Sequence, residues 1–292
     1  MSHGNYKGNY SSQETHKIKQ VQFCVLSEQD ISKNSVCEVT SMLLYDKETG
    51  LPAGNGLNDP RMGISIRGLV CQTCFGDIKQ CPGHFGHLKL AEIVFHVEFL
   101  EIVHKILKCI CFHCSRLLVS PEKLSSIKNI KNPKKRLKEM VSSSSRICAM
   151  GENGAEGGCG RVQPSYLRKK LEIMVRASGV NASSFDGEDS KRSLRASEVY
   201  EVFKAIDENS IELLGLNPEF SRPENFLIRL LIVAPPAVRP SIELSSSARS
   251  EDDLTHLYQS ILSTNIELIK AKESGLPRTK VDEIILRLQS YV

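Results

Sequence analysis

Apolar and polar positions along this chain change period several times, and the changes outline short strands and amphipathic helices in mixed order. Val21–Leu26 (Val-Gln-Phe-Cys-Val-Leu) reads as a strand, followed by a short helix or turn opening at Ser27. Thr49–Gly68 is punctuated by Gly, Pro, Asn and Asp and reads as loop. Leu88–Phe95 is a strand pattern. Glu98–Lys108 then places Phe99, Ile102, Val103, Ile106 and Leu107 at helical spacing. Ser197 is positioned to cap a helix running to about Asn209, with Val199, Val202, Phe203 and Ile206 inward. Phe226–Val233 is an apolar strand broken only by Arg229, and Pro235, Pro236 and Pro240 make a stiff extended segment after it. Ser245–Ser250 reads as a flexible loop.

Asp252 and Asp253 open a long helix with the stripe Leu254, Leu257, Tyr258, Ile261, Leu262, Ile266 and Ile269, ended by Gly275 and Pro277. Thr279-x-x-Asp282 opens another, with Val281, Ile284, Ile285 and Leu288 on one face. That pattern runs to the final residue, so the chain is expected to continue in a longer protein. Residues 1–17, rich in Ser, Asn, Gly and Tyr, read as a mobile tail, and Val180–Lys191 as an exposed polar loop. The expected fold class is α+β.

Composition narrows the class without naming it. At 292 residues, with 40% apolar and 25% charged residues, the chain can bury a real core as one or two domains. The net charge of +4 permits a nucleic-acid partner without arguing for one. No apolar run reaches the length of a membrane span, and Met1–Gln20 lacks the apolar core of a signal peptide. Ten cysteines without a secretory signal point to a reducing compartment, where clustered thiols favour metal.

The cysteine spacing carries the chemistry. Cys71-Gln-Thr-Cys74 is followed by Cys81-Pro-Gly-His84. Two such pairs can close a tetrahedron around one zinc, and four protein ligands leave no open position for catalysis. His84 completes the two-residue spacing, with His87 as the alternative fourth ligand. Cys111-Phe-His-Cys114 is a second hook, and Cys148 and Cys159 further along would complete a four-thiolate site. The alternative there is a reactive or merely buried pair. Cys24, Cys37 and Cys109 read as packing residues. Lys131, Lys134, Lys135, Arg136 and Lys138 make one dense basic run, either a surface near nucleic-acid phosphates or a solvated helix face.

Gly56-Leu-Asn-Asp-Pro-Arg61, the two hooks of the first cluster continuing into Phe85-Gly-His87, and Val94-Phe-His96 together resemble the start of the largest subunit of multisubunit DNA-dependent RNA polymerases. Gly157-Gly-Cys-Gly160 with Gln163-Pro164, Ser221-Arg-Pro-Glu224, Pro235-Pro-Ala-Val-Arg-Pro240 and Glu251-Asp-Asp-Leu-Thr255 follow in the same order. The resemblance covers the chain from about Val21 onward and is nearest the RNA polymerase II form; the polymerase I, polymerase III and archaeal counterparts are the alternatives within the family. Where family members have Gly and Trp, this chain has Glu98 and Asn225, and its Cys148–Cys159 spacing is shorter.

The resemblance implies part of the clamp, the mobile jaw over DNA. Residues 18–95 would belong to the clamp core with the first zinc, and 96–233 to the clamp head with the second. Residues 234–253 would form the proline segment and a lid-like loop at the upstream end of the RNA–DNA hybrid, and 254–292 a helical part of the core. It further implies template DNA, the hybrid and other subunits, including the second-largest, as partners, a nuclear location and no membrane. Nucleotidyl transfer would belong to the complete enzyme, whose Mg2+ is held by a cluster of three Asp residues. That cluster is not in this chain, and Asp186-Gly-Glu-Asp189 reads as a solvated loop. Apart from the resemblance, the residues also fit a free-standing zinc-binding adaptor. A metalloenzyme is disfavoured by the closed ligand sets.

Overall fold

The computed structural model describes residues 17–149, 157–176, 191–245 and 248–292. The tail expected over residues 1–17 therefore lies outside them except for Lys17, as do Asp186–Asp189 and all of Val180–Lys191 but its last residue.

The chain is α+β. Helix α1 (Glu28–Asn34) opens as expected at Ser27, whose hydroxyl accepts from the Asp30 N–H while the Asp30 carboxylate accepts from the Ser27 N–H. Residues 49–68 form no helix or strand, again as expected. Strand β1 (Gly86–Phe95) leads through a 3-10 turn into α2 (Leu100–Cys109). Then come α3 (Pro121–Lys128), α4 (Pro133–Ser143), and a three-stranded antiparallel sheet of β2 (Ser165–Lys169), β3 (Glu172–Arg176) and β4 (Lys191–Ser193). Helices α5 (Ala196–Lys204) and α6 (Glu208–Leu213) precede β5 (Leu227–Val233), which pairs antiparallel with β1. The hairpin of β6 (Ile242–Ser245) and β7 (Ala248–Ser250) and the helices α7 (Asp253–Glu273) and α8 (Arg278–Tyr291) complete the order.

Two hydrophobic cores share the β1–β5 ribbon. One packs α2, α3, α4, α5, α6 and the β2–β3–β4 sheet around Val103, Ile106, Ile173 and Phe203. The other gathers Leu57, Met62, Leu88, Val94 and Val233 under α7 and α8. Between Lys89 and Val94 the β1–β5 ladder is interrupted. Buried side-chain amides satisfy the backbone there. Asn265 on α7 accepts from the Ala91 N–H (2.7 Å) and donates to the Lys89 carbonyl (3.0 Å). Gln289 on α8 does the same for both backbone groups of Phe95.

Several elements differ from the sequence reading. Val21–Leu26 forms no strand: Phe23 is 88% exposed, and the Val25 N–H bonds only the Phe220 carbonyl. Cys24 is exposed and packs no core, unlike Cys37 and Cys109. The helix from Ser197 to Asn209 is two helices, because the Asp207 side chain accepts from the Ser210 N–H and caps α6 afresh. The N-cap of α5 is Arg195, with Ser197 inside the first turn. Ser245–Ser250 belongs to the β6–β7 hairpin, with residues 246–247 outside the described set. Extended backbone after β5 stops at Pro235, and Pro236–Val238 tightens into a 3-10 turn. The buried face of α7 is rotated from the apolar stripe: Leu254, Leu257 and Ile269 are at least 40% exposed, while Thr255, Asn265 and Ala271 point inward. Helix α8 starts at Arg278 behind Pro277, with no side-chain cap from Thr279.

Candidate metal centres

Each cysteine hook is a tight backbone knuckle, and the two knuckles are built alike. In the first, the Phe75 N–H donates to the Cys71 carbonyl (3.0 Å) and the Cys71 N–H to the Gly76 carbonyl (3.1 Å). In the second, the Ser115 N–H donates to the Cys111 carbonyl (2.9 Å) and the Cys111 N–H to the Arg116 carbonyl (2.8 Å). The residue after each second cysteine takes the left-handed conformation, Phe75 at φ 58° and Ser115 at φ 56°. A left-handed bulky residue is strained, so the turn, and not the side chain, dictates these positions. In both, the N–H two residues after the first cysteine points at its sulfur: Thr73 to Cys71 Sγ and His113 to Cys111 Sγ, each 3.4 Å.

The partners come from further along. Cys71, Cys74, Cys81 and His84 present ligand atoms that all lie within 4.8 Å of one another, and so do Cys111, Cys114, Cys148 and Cys159. Ligands about 2.3 Å from one ion stand about 3.8 Å apart at the corners of a tetrahedron. Cys114 Sγ and Cys148 Sγ are 3.7 Å apart, Cys111 Sγ and Cys159 Sγ 3.5 Å, and Cys81 Sγ and His84 Nε2 3.7 Å. His87 is turned away, with its Nδ1 2.7 Å from Ser35 Oγ. The loops close tightly: a Cβ on Gly158 would stand 2.1 Å from Cys148 Sγ, and one on Gly83, at φ +83°, would stand 2.8 Å from the Pro235 ring.

Without an ion, four such groups conflict. Burial pushes thiols up, and in Cys81 it does so to about 11, and in Cys148 to about 12, aided by neighbouring thiols. In Cys114 burial pushes the same way, but the Arg116 N–H and the neighbouring thiols outweigh it and bring the group down to about 7. Cys71 is likewise lowered against burial by the N–H groups of Cys74 and Thr73. Each knuckle thus favours a thiolate beside thiols that hold their protons. A divalent cation in the middle removes that conflict, so the donor sets fit structural zinc.

The basic run is divided. Asn132 caps α4, which buries Leu137 and Met140 and leaves Lys134, Lys135 and Lys138 exposed, with Lys131 exposed just before it. Arg136 is committed elsewhere, donating to the carbonyls of Ile130 (3.0 Å) and Glu212 (2.8 Å). Two buried polar residues carry roles that no spacing rule announced. Arg239 donates to Ala234, Leu57, Asn58 and Thr255. Gln163 reaches Cys111 Sγ at 3.2 Å. Their only sequence signal is a place inside a motif, Val-Arg-Pro and Gln-Pro.

Two four-residue groups, each of which could hold a metal ion, are set on an α+β scaffold. Residues 15–292 match the family described as RNA polymerase Rpb1, domain 1. The chain is 39% identical over 267 residues to the DNA-directed RNA polymerase II subunit RPB1 of Euplotoides octocarinatus, an overlap of 89% of this chain and 55% of that protein. The chain belongs to the Rpb1 domain 1 family, the N-terminal segment of the largest RNA polymerase subunit. It spans about half the length of the curated relative it matches.

Proposed function

We propose that this chain is the clamp segment of the largest subunit of a nuclear RNA polymerase II and works mechanically within an enzyme that performs nucleotidyl transfer. The observation that carries the proposal is the pair of closed ligand groups in a chain matched almost end to end by Rpb1 domain 1. In this reading Cys71, Cys74, Cys81 and His84 hold one zinc, and Cys111, Cys114, Cys148 and Cys159 another. The ions supply rigidity and no chemistry. Residues 18–95 and 254–292 make the clamp core, 96–233 the clamp head, and 234–253 the proline segment and lid-like hairpin beside the RNA–DNA hybrid. Mg2+ and catalysis belong to the Asp triad of the complete enzyme, and other subunits, among them the second-largest, complete the cleft.

Lys131, Lys134, Lys135 and Lys138 are proposed to line the DNA-facing flank and to contact phosphates without reading bases. Arg136 was part of the same basic run; its two carbonyl bonds suit it to holding α4 in place beside them. The test is the affinity of the assembled polymerase for duplex DNA at several salt concentrations. Each phosphate contact contributes about −0.9 to the log–log slope, so Lys134→Ala/Lys135→Ala flattens it by up to about two units, equally for unrelated sequences. An unchanged slope would mean that the run is a solvated helix face.

A further inference from the structure

The second centre is assembled from hooks far apart in sequence, and one buried side chain touches both. Gln163 is 6% exposed. Its Oε1 accepts from the Phe112 N–H at 2.9 Å, inside the first hook. Its Nε2 donates to Cys111 Sγ at 3.2 Å and to the Arg161 carbonyl at 2.9 Å. That carbonyl also accepts from the Cys148 N–H at 3.1 Å, and the Gln163 N–H donates to the Arg146 carbonyl at 2.7 Å. One amide thus ties the Cys111 knuckle to the two segments, joined by the Ile147–Val162 bridge, that carry Cys148 and Cys159. Among the described residues, the sulfurs of the first centre receive no comparable side-chain donor; Cys71 is met by the backbone N–H of Thr73.

We propose that Gln163 is the positioning residue of the second metal centre, holding the two hooks in register and donating to the Cys111 sulfur, so that the ion is retained. The inference rests on the zinc reading above. Groups that orient a ligand through a hydrogen bond commonly change metal retention by about 10- to 100-fold when removed. Gln can do this where Glu cannot. A glutamate keeps the shape and an acceptor for the Phe112 N–H, yet brings no N–H to the sulfur and sets an anion beside a thiolate.

The test uses the assembled polymerase carrying this subunit, incubated with a chelator and a thiol alkylator, with each cysteine's labelling rate read by peptide mass spectrometry. Cys71, Cys74 and Cys81 serve as the control within the same chain. Gln163→Glu and Gln163→Leu are each expected to speed labelling of Cys111, Cys114, Cys148 and Cys159 by about 10- to 100-fold while the first centre keeps its rate. Wild-type rates at the second centre in Gln163→Glu would overturn the role of the N–H···S bond. Equal acceleration at both centres in both variants would also overturn it, showing general loosening. If all four cysteines of the second centre label as free thiols in the wild type while the first centre is protected, the zinc reading of that centre fails and the proposal with it.

Discussion

Arg239 is a guanidinium 2% exposed with only neutral acceptors in reach, and removing it should have a large, local effect. Its Nε donates to the Ala234 carbonyl at 2.9 Å, and one terminal nitrogen to Asn58 Oδ1 and Thr255 Oγ1, both at 3.2 Å; the other donates to the Leu57 carbonyl. It therefore joins the loop before the first metal hook, the end of β5 and the start of α7. Hydrogen bonds to a charged group contribute about 1.5–3 kcal/mol each, against several kcal/mol for keeping the charge from water. Arg239→Met fills the space and abolishes the buried charge but leaves two backbone carbonyls unpaired, at about 1–3 kcal/mol each. The expected loss is about 3 kcal/mol, confined to this junction. At about 1.4 kcal/mol per decade that is roughly a hundredfold faster amide exchange. The reporters are Asp59, Met62 and Thr255, whose N–H groups pair with Gly56, Asp59 and Asp252. Arg239→Lys keeps the charge without the planar fork and should fall between. Hydrogen exchange by mass spectrometry measures it. A change below threefold at those amides in Arg239→Met would refute the reasoning, since the freed carbonyls would then be satisfied without the guanidinium.

The loop before the hook should also respond to acid. Burial works against Asp59, but its bonds from Arg61 and from the N–H groups of Arg61 and Asn55 hold the carboxyl below its ordinary value. A depressed carboxylate stabilises above its unfolded value, about 3.9, and loses that contribution as pH falls below it through the lower folded value. Protection at Asp59 and Met62, corrected for the intrinsic pH dependence of amide exchange, should therefore fall below about pH 4 in the wild type, and Asp59→Asn should be loose already at pH 7; a pH-independent wild-type protection would contradict this. Gly158→Ala drives a Cβ into Cys148 Sγ, and Gly83→Ala drives one into Pro235 in a left-handed conformation. Elemental analysis should find about one zinc per chain in each variant against about two in the wild type, and a full complement in Gly158→Ala would show that the second loop yields.

Legibility in the sequence followed how local the determining contacts are. The ligand spacing of the first hook and the Ser27 cap were readable because their partners lie within a few residues, and β1 because its own run of residues carries the strand pattern. The two-residue spacing also favoured His84 over His87, and the structure groups His84 with the three cysteines while Ser35 holds His87 from far along the chain. The α7 stripe misled because distant partners decide which face is buried. Asn265 must reach the interrupted strand and Thr255 must reach Arg239, and both turn the helix away from its most apolar face. The β2–β3–β4 sheet escaped notice because only Tyr166, Ile173 and Val175 among its strand residues are buried. Val21–Leu26 shows the converse, a strand pattern for which the fold offers no ladder.

The two centres sit at opposite ends of one rigid path. His84 runs within two residues into β1, β1 into α2, and α2 ends two residues before Cys111. The ends of that path are held in different ways. Around the first hook, Val70, Phe75 and Ile78 are all more than half exposed, so burial does little to fix the loop and a bound ion would supply most of its order. The second hook packs Cys111, Leu118 and Cys148 into a small buried cluster and adds the Gln163 amide, so its backbone is supported before any ion binds. Loss of metal should therefore free the first loop more completely than the second. Because β1 belongs to both cores, disorder at its first end reaches the shared ribbon only as far as Asn265 and Gln289 let it, since those two amides grip β1 from α7 and α8.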